Sequence, residues 1–434
     1  MEKISYIKIF RFWLPLAATW IMMSVEGPFL AAVIARLAEP KFNLAAYGVA
    51  FSFALIIEAP IIMIMSASTA LVEDRESFLK LRSYTYILNG IITVLMLVFL
   101  MPGVFYFITI NLIDLPANVA RLTYMATVVL LPWPGAIGYR RFYQGILIRN
   151  NLTRRVAYGT IIRLTAMAAT ALILYMIGTI PGVVVGAAAL STGVVMEAIA
   201  SRFMSWKTVQ QVMRLSDNQK DLSYQEITKF YYPLAMTSIL ALGIHPLVTF
   251  FVGQSRFAIE SLAVLPVVTS LVFIFRSIGL SYQEVAISLV GKNLEGYKEI
   301  RNFAYSLAVL VVLFLGLIAF TPLAYVWLRT VSGLTPDLAG YAILPMQIMC
   351  MMPGFSVLLS LQRAILVVAR NTGPITLATG SEVVGIIIVL FITISYMDMI
   401  GAVAATLALI IGRFAANTYL VPPYLKAVKK VADI

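Results

Sequence analysis

The sequence has very few of the residues that build metal sites, disulfides and catalytic centres. Its 434 residues include one cysteine, Cys350, and one histidine, His245. A single cysteine excludes an internal disulfide and a metal site made of several cysteines. One histidine and no paired-aspartate motif argue against an intramembrane transferase, which needs clustered acidic or histidine ligands. We therefore expect no enzymatic activity, no cofactor and no resident metal.

Charged residues are also scarce. They make up 12% of the chain, whereas hydrophobic residues make up 61%; soluble domains carry about 25% charged residues. Long apolar stretches recur with about the 20 residues needed to cross a ~30 Å hydrocarbon core. They are continuous rather than alternating, which excludes a transmembrane β-barrel. We expect an all-α polytopic membrane protein of twelve transmembrane helices, at 12–36, 46–72, 83–108, 120–148, 157–178, 182–205, 229–252, 262–290, 302–328, 338–368, 374–396 and 401–422.

The lysines and arginines predict how the chain is oriented in its membrane. Loops on the amino-terminal side of the twelve spans carry 21 of the 32 basic residues, and the opposite loops carry 5. Because basic loops are retained in the cytoplasm, both termini are expected there, in a plasma (inner) membrane. The net charge of +12 then reflects cytoplasmic loops and needs no nucleic-acid partner.

An internal repeat divides the sequence into two similar halves. Residues 12–72 reappear without a gap at 230–290, which lays Pro28 on Pro246. Beyond residue 82 the shift grows from 218 to 219. Such repeats build two similar bundles with a site between them, the usual plan of a secondary transporter. The predicted parts are an N-terminal six-helix lobe at 1–205, a cytoplasmic linker at 206–228 and a C-terminal six-helix lobe at 229–434.

Ionisable residues inside the predicted spans are the candidates for function. A charge in hydrocarbon costs several kcal/mol unless it pairs or faces water. Besides His245, the set comprises Arg140, Arg141, Arg163, Arg276, Arg363, Arg413, Glu26, Glu58, Glu197, Glu284 and Glu382. Arg140, Arg141, Arg163 and Glu197 are expected to pair within a lobe or to reach the interface, and Arg363 and Glu382 are expected to repeat that arrangement. A basic vestibule collecting anions is the alternative.

Near the middle of spans 1, 2, 7 and 8 lie Glu26, Glu58, His245 and Arg276, respectively. We expect these four spans to line a central cleft. We assign substrate binding to Arg276, Glu284, Gln283, His245, Arg363 and Arg140, and ion coupling to Glu26 and Glu58. Gly27, Pro28 and Pro246 are predicted hinges, because proline interrupts the hydrogen-bond ladder of a helix.

The repeat places Glu58 on Arg276, so equivalent positions carry opposite charges. We hypothesise that the two side chains face each other and pair in one state, while substrate replaces Glu58 as the partner of Arg276 in another.

Motifs along most of the chain resemble a known superfamily. They are Arg11-Phe12-x-x-Pro15-Leu16-x-x-Thr19, Tyr47-Gly48-x-Ala50-x-Ser52 followed by Pro60, Pro134 with Gly145-Ile146-Leu147, and Phe230-x-x-Pro233-Leu234-Ala235 with Pro246 and Phe251-Val252. The chain is similar to the multidrug (MATE), polysaccharide and lipid-linked oligosaccharide flippases, and most of all to the progressive ankylosis family. That resemblance implies a V-shaped, twelve-span, alternating-access exporter of anions such as pyrophosphate or citrate. The chain departs from the family at central charged positions, including Glu26 and Glu58.

The expected partners are a small-molecule substrate, a coupling ion (proton or sodium) and the lipid bilayer, with the protein a monomer. Exposed arginines favour an anion exporter, because guanidinium groups match carboxylate and phosphate oxygens. Buried carboxylates would instead suit a MATE-type proton- or sodium-coupled multidrug antiporter for organic cations. A lipid-linked sugar flippase, which also needs a cationic cavity, is the third candidate function.

Overall fold

The computed structural model describes residues 5–150, 152–215, 222–291, 294–369, 371 and 373–432. Regular structure within these ranges is helical, and no strand forms beyond an isolated bridge between Arg256 and Ile400. The all-α class predicted from the continuous apolar stretches is confirmed.

The described residues of the first half form ten α-helices. They are α1 (Tyr6–Ser24), α2 (Glu26–Ala35), α3 (Pro40–Glu58), α4 (Ile64–Leu71), α5 (Arg75–Phe99), α6 (Pro102–Tyr106), α7 (Ala117–Val129), α8 (Pro132–Arg149), α9 (Thr153–Ile177) and α10 (Gly182–Val212).

In the part of the second half that the structure describes, nine α-helices follow. They are α11 (Tyr224–Leu242), α12 (Ile244–Gly253), α13 (Ala258–Leu289), α14 (Tyr297–Ala319), α15 (Leu323–Tyr325), α16 (Pro336–Ile348), α17 (Met352–Val368), α18 (Gly373–Ser395) and α19 (Gly401–Ala432). A π-helical segment follows α6 at Phe107–Leu112 and α15 at Val326–Val331. These segments are related by the sequence shift of 219, so the repeat extends to local backbone geometry.

Eleven helical segments of the described chain are long and apolar enough to cross a membrane. The protein is therefore an integral, multi-pass membrane protein. These segments coincide with eleven of the twelve predicted spans. The remaining prediction, 120–148, is occupied by α7 and α8, which are separated at residues 130–131. Arg140, Arg141 and Arg149 make α8 less apolar than its neighbours.

The first and seventh predicted spans are each interrupted at the same point of the repeat. Between α1 and α2 the break falls at Val25, and between α11 and α12 it falls at Gly243. Each break lies three residues before a proline, Pro28 or Pro246. Proline removes the hydrogen bond to the carbonyl four residues earlier and its ring clashes with that carbonyl, which accounts for the interruption. Whether the chain bends there during function stays a prediction.

The helices form two compact units. The central unit is Leu37–Phe250, and the terminal unit combines Met1–Arg36 with Phe251–Ile434. This grouping differs from the consecutive lobes 1–205 and 229–434 expected from the repeat. The predicted linker is also partly helical, because α10 continues to Val212 and α11 begins at Tyr224; residues 216–221 of that linker lie outside the described residues.

Specific contacts fix the helices that depart from the expected lobes. In the terminal unit, Trp13 Nε1 of α1 donates a buried hydrogen bond to Ser281 Oγ of α13, at 3.0 Å. Gly27 of α2 also lies against α13, since a Cβ added there would stand 2.9 Å from the Cβ of Ser270. In the central unit, the hydroxyl of Tyr231 on α11 donates to the carbonyl of Pro60 at 2.6 Å. A repeat predicts that two halves are alike but not which half a terminal span packs with.

Candidate functional site

Most of the charged residues in the predicted spans fall into two clusters, one in each unit. The Glu197 cluster of the central unit comprises Glu58, Arg140, Arg141, Gln144, Arg163 and Glu197. The Glu382 cluster of the terminal unit comprises Arg276, Arg363, Thr379, Glu382 and Arg413.

Glu58 stands where a helix ends. It is the last residue of α3, and residues 59–63 form turns before α4 begins. Pro60 explains the ending, because it cannot donate the hydrogen bond that would continue the helix. The repeat places Ile278 on Pro60, and α13 accordingly continues past Arg276 without a break. Glu58 therefore lies at the end of a helix, whereas the equivalent residue, Arg276, lies within a continuous helix.

Glu197 of α10 is the fully buried centre of its cluster. Arg140 of α8 donates from Nη1 to Oε2 of Glu197 in a buried salt bridge. Gln144, one turn further along α8, donates from Nε2 to Oε1 at 2.9 Å. Arg163 of α9 places its Nη1 3.8 Å from Oε2. One carboxylate thus joins three helices, as expected for pairing within a lobe.

Glu58 and Arg141 belong to the same cluster but lack such direct partners. The Glu58 side chain is only 2% exposed, and its Oε2 accepts no hydrogen bond from any described residue. The charged groups that act on its carboxylate are the guanidinium groups of Arg141, Arg140 and Arg163. Arg141 makes one weak contact, from Nη1 to Met65 Sδ at 3.6 Å, and its Nε is buried without an acceptor. Glu58 is therefore a buried carboxyl group on which the guanidinium groups of its cluster act only at longer range.

In the terminal unit the direct ion pair joins α18 to α19. Arg413 donates to Glu382 Oε1 from Nε at 2.9 Å and lies 2.8 Å from it through Nη2. The sequence analysis grouped Glu382 with Arg363 and assigned no role to Arg413. The structure corrects this grouping: Arg363 of α17 donates from Nη2 to Thr379 Oγ1 at 3.3 Å, while Glu382 takes Arg413 as its direct partner.

Arg276 of α13 is the fourth charged member of the Glu382 cluster. The groups that act on its guanidinium are Arg413 and Glu382, and the same two act on Arg363. Arg276 makes no hydrogen bond or ion pair with any residue that the structure describes, and its Nε is buried. The charged groups of the Glu382 cluster are therefore three guanidinium groups and one carboxylate, of which only Arg413 contacts Glu382 directly.

The two clusters occupy equivalent places in the repeat, and their ion pairs have opposite polarity. A Cβ added to Gly193 of α10 would lie 3.0 Å from the carbonyl of Arg163 and 3.1 Å from Met167. A Cβ added to Gly412 of α19 would lie 2.8 Å from the carbonyl of Glu382 and 2.6 Å from Ile386. The shift of 219 relates Gly193 to Gly412, Met167 to Ile386 and Arg163 to Glu382. The partners Glu197 and Arg413 lie on the same span of each half, three residues apart in the alignment.

The equivalence of Arg163 and Glu382 can be read from the sequence, but the sequence analysis did not identify it. The shift that relates Pro134 to Pro353 also lays Arg163 on Glu382 and Gln144 on Arg363. Sequence reasoning noted the charge reversal only at Glu58 and Arg276. Extending the alignment to the fifth span would have revealed the second reversal.

Other predicted site residues stand apart from these ion pairs. On α13, Gln283 is half-buried and Glu284 is exposed; His245 on α12 is exposed. Glu26 is buried at the start of α2. Glu58 and Arg276 belong to different units, each with charged neighbours of its own. Their mutual pairing and the assigned roles in substrate binding and ion coupling stay predictions.

No group of three or more His, Cys, Asp or Glu side chains in the described ranges is placed to hold a metal ion. No family model and no curated protein matches the sequence.

Solved structures, however, share the fold over nearly the whole chain. One is the inward-facing conformation of a multidrug resistance MATE family transporter of the MOP superfamily, 15% identical with a TM-score of 0.76, covering 96% of this chain and 99% of that one. The lipid II flippase MurJ in an inward closed conformation is 15% identical with a TM-score of 0.71, covering 96% and 91%. An outward-facing MATE family transporter is 17% identical with a TM-score of 0.67, covering both chains completely (100% each).

These likenesses establish that the chain has a MATE-like fold. The predicted MATE-like architecture is thus confirmed at the level of the fold. The narrower resemblance to the progressive ankylosis family stays a prediction.

Proposed function

We propose that this protein is a secondary active transporter that works by alternating access and exports small organic or phosphate-type anions such as pyrophosphate or citrate. Its multi-pass helical fold and its likeness to MATE transporters support the transporter class. Both termini in the cytoplasm, a plasma (inner) membrane location, a coupling ion and a monomeric state belong to the same proposal.

The observation that carries the anionic substrate is the excess of arginine in the Glu382 cluster. Arg276 and Arg363 lack any carboxylate partner within the described chain, because Glu382 forms its ion pair with Arg413. A guanidinium group in low dielectric needs a counter-charge or water. Guanidinium forks also match carboxylate and phosphate oxygens in geometry. An anion would supply the missing charge.

A different observation favours a second candidate, a proton-coupled antiporter of organic cations. Glu58 is a buried carboxylate with an oxygen that accepts no hydrogen bond among the described residues. Such a group can carry a proton in exchange for a cation. The arginines around it repel a cation, so we place this candidate second. A lipid-linked sugar flippase, suggested by the likeness to MurJ, shares the cationic requirement of the first candidate.

A transport panel tests the proposal. The purified protein in proteoliposomes is assayed with pyrophosphate, citrate, an organic cation and a lipid-linked sugar. We expect flux of an anion, abolished in Arg276→Gln and retained in Arg121→Gln, a matched control because Arg121 is an exposed arginine of α7. Flux of the cation alone would contradict the anion-exporter proposal. Loss of anion flux in both variants would contradict the specific role of Arg276.

A further inference from the structure

We propose that the central unit binds the headgroup of an anionic phospholipid beside α10, through the guanidinium group of Arg202 and the aromatic side chains that hold it. The Arg202 site comprises Tyr86 of α5, Tyr139 and Tyr143 of α8, and Arg202 and Trp206 of α10. The ligand belongs to the surrounding bilayer and is not a transported substrate, so the site stands apart from the proposed function.

Aromatic rings fix the position of the Arg202 side chain. Its guanidinium carbon lies 5.1 Å from the centre of the Tyr143 ring and 4.7 Å from that of the Trp206 ring. The hydroxyl of Tyr143 is 3.0 Å from the hydroxyl of Tyr86, and the rings of Tyr143 and Tyr139 are 4.9 Å apart. Residues of three helices therefore hold one guanidinium group in place.

The charge of Arg202 is not neutralised within the described chain. Its guanidinium group makes no hydrogen bond or ion pair with any residue that the structure describes, and Nη1 is buried without an acceptor. Aromatic rings attract a cation but carry no counter-charge. Arg155 of α9 adds positive charge nearby, since its Nη1 donates to the carbonyl of Met204 at 2.6 Å. A half-buried guanidinium group of this kind needs water or an anion as its partner.

The position of Arg202 along α10 matches the depth of the lipid phosphates. α10 runs from Gly182 to Val212 and is long and apolar enough to cross a membrane. At ~1.5 Å per residue Arg202 lies roughly 30 Å from Gly182, the thickness of the hydrocarbon core. Tryptophan and tyrosine side chains are typical of that interface. The guanidinium group is thus expected among the headgroups at the end of α10 that is predicted to be cytoplasmic.

An apolar stripe of α10 leads to this position. Met196, Ile199 and Phe203 are exposed, and their spacing of three and four residues puts them on one face of the helix. Acyl chains solvate such a stripe on a spanning helix. Arg202 directly precedes Phe203, and the exposed Trp206 lies one turn further on. A phospholipid offers apolar chains for the stripe and, if its headgroup is anionic, a counter-charge for Arg202.

The second half of the repeat folds without this group. The shift of 219 lays Arg202 on Val421 and Trp206 on Leu425, both within the continuous helix α19. The helix packing of this fold therefore does not require an arginine held by aromatic rings. This contrast favours a ligand-binding role for Arg202 over a packing role.

Binding is measured on the purified full-length protein in detergent, as the rise in unfolding temperature with the amount of added lipid. The probes are phosphatidylglycerol, phosphatidylcholine with the same acyl chains and, at matched ionic strength, inorganic phosphate. Arg202→Gln removes the charge of the site, and Arg202→Val introduces the residue type of the second half as an additional variant. Lys207→Gln is the matched control, because Lys207 is an exposed charge at the same end of α10.

We expect phosphatidylglycerol to raise the unfolding temperature of the unsubstituted protein more than phosphatidylcholine or inorganic phosphate does. Arg202→Gln and Arg202→Val should raise the half-saturating amount of phosphatidylglycerol by about 10-fold or more, as expected for loss of a charge-assisted contact. Lys207→Gln should raise it by no more than about 3-fold, because solvent screens an exposed charge. Without lipid, Arg202→Gln should unfold at the same temperature as the unsubstituted protein or higher, since it removes an unpaired charge.

Four results would overturn the site. An equal response to phosphatidylcholine would show that the charge of the headgroup is not recognised. An equal response to inorganic phosphate would identify the ligand as a free anion instead of a lipid. An equal loss in Lys207→Gln would mean that lipid is attracted by surface charge in general. A lower unfolding temperature of Arg202→Gln without lipid, together with an unchanged response to phosphatidylglycerol, would make Arg202 a packing residue.

Discussion

Arg163 and Glu382 occupy the same position in the two halves of the repeat although their charges are opposite. The backbone carbonyl of each lies against a glycine of the following span, Gly193 or Gly412. Each also has an oppositely charged partner on that span: Glu197 is 3.8 Å from Arg163, and Arg413 is 2.8 Å from Glu382. Each half thus has an ion pair between its fifth and sixth spans, with opposite polarity in the two halves, and we expect this polarity to be free to invert.

The inverted polarity predicts that Glu382 and Arg413 can exchange places. Glu382→Gln leaves the guanidinium of Arg413 buried without its carboxylate, so we expect a loss of about 3–5 kcal/mol in the free energy of unfolding. The double substitution Glu382→Arg with Arg413→Glu recreates the polarity of the central unit and should recover part of that loss. Thermal unfolding of the purified variants measures both.

An exposed ion pair provides the control for this exchange. Arg149 lies 3.1 Å from Glu73, with side chains 31% and 59% exposed. Glu73→Gln should change the free energy of unfolding by only about 0–1 kcal/mol, because solvent screens such pairs. An exchanged double variant that is no more stable than Glu382→Gln would contradict the idea that polarity is free to invert.

Gly412 is predicted to set the separation of α18 and α19. In Gly412→Ala the new methyl would meet the Glu382 carbonyl at 2.8 Å and Ile386 at 2.6 Å, forcing the helices apart. We expect a destabilisation of about 1–3 kcal/mol, the usual cost of overpacking, measured by thermal unfolding. Gly380→Ala, on α18 with no atom within 4 Å of the added Cβ, should be neutral or stabilising by up to about 1 kcal/mol. Equal effects of the two substitutions would show that the close approach is relieved at no cost.

The apolar stretches predicted the helices well, because length and continuous hydrophobicity suffice to define a membrane span. They did not predict ionic partners. Glu382 was grouped with Arg363, but Arg413 is its direct partner, and the choice depends on helix rotations that an apolar sequence does not encode. The repeat predicted equivalent positions, including Glu58 and Arg276. It could not assign α1 to the terminal unit, because a repeat shows which helices are similar but not which helices each of them packs against.

Glu58 is predicted to couple transport to protons. Its carboxylate is buried, and one oxygen accepts no hydrogen bond from the described residues. Gain or loss of one proton would change the charge of the Glu197 cluster by one unit. Glu58→Gln fixes that charge, so we expect a flatter dependence of transport rate on pH with folding intact. Transport is measured in proteoliposomes over a series of pH values, with Glu26→Gln beside it. A pH profile that both variants leave unchanged excludes proton coupling at these two sites.

The grouping of α2 with α13 predicts a disulfide that should be compatible with transport. Cys350 is the only cysteine in the sequence, so Cys350→Ser gives a background without thiols. An added Cβ at Gly27 lies 2.9 Å from the Cβ of Ser270, and a disulfide needs a Cβ–Cβ distance of about 3.5–4.5 Å. The double variant Gly27→Cys with Ser270→Cys should therefore cross-link after a shift of about 1 Å.

Proteolysis between the halves, followed by electrophoresis without reductant, detects the cross-link as two fragments that stay joined. Gly27→Cys alone is the control and should release both fragments. If α2 moves with the terminal unit throughout the cycle, the oxidised protein keeps its transport rate. Complete loss of transport on oxidation, restored by reductant, would instead mean that α2 must leave α13 for the cycle to proceed.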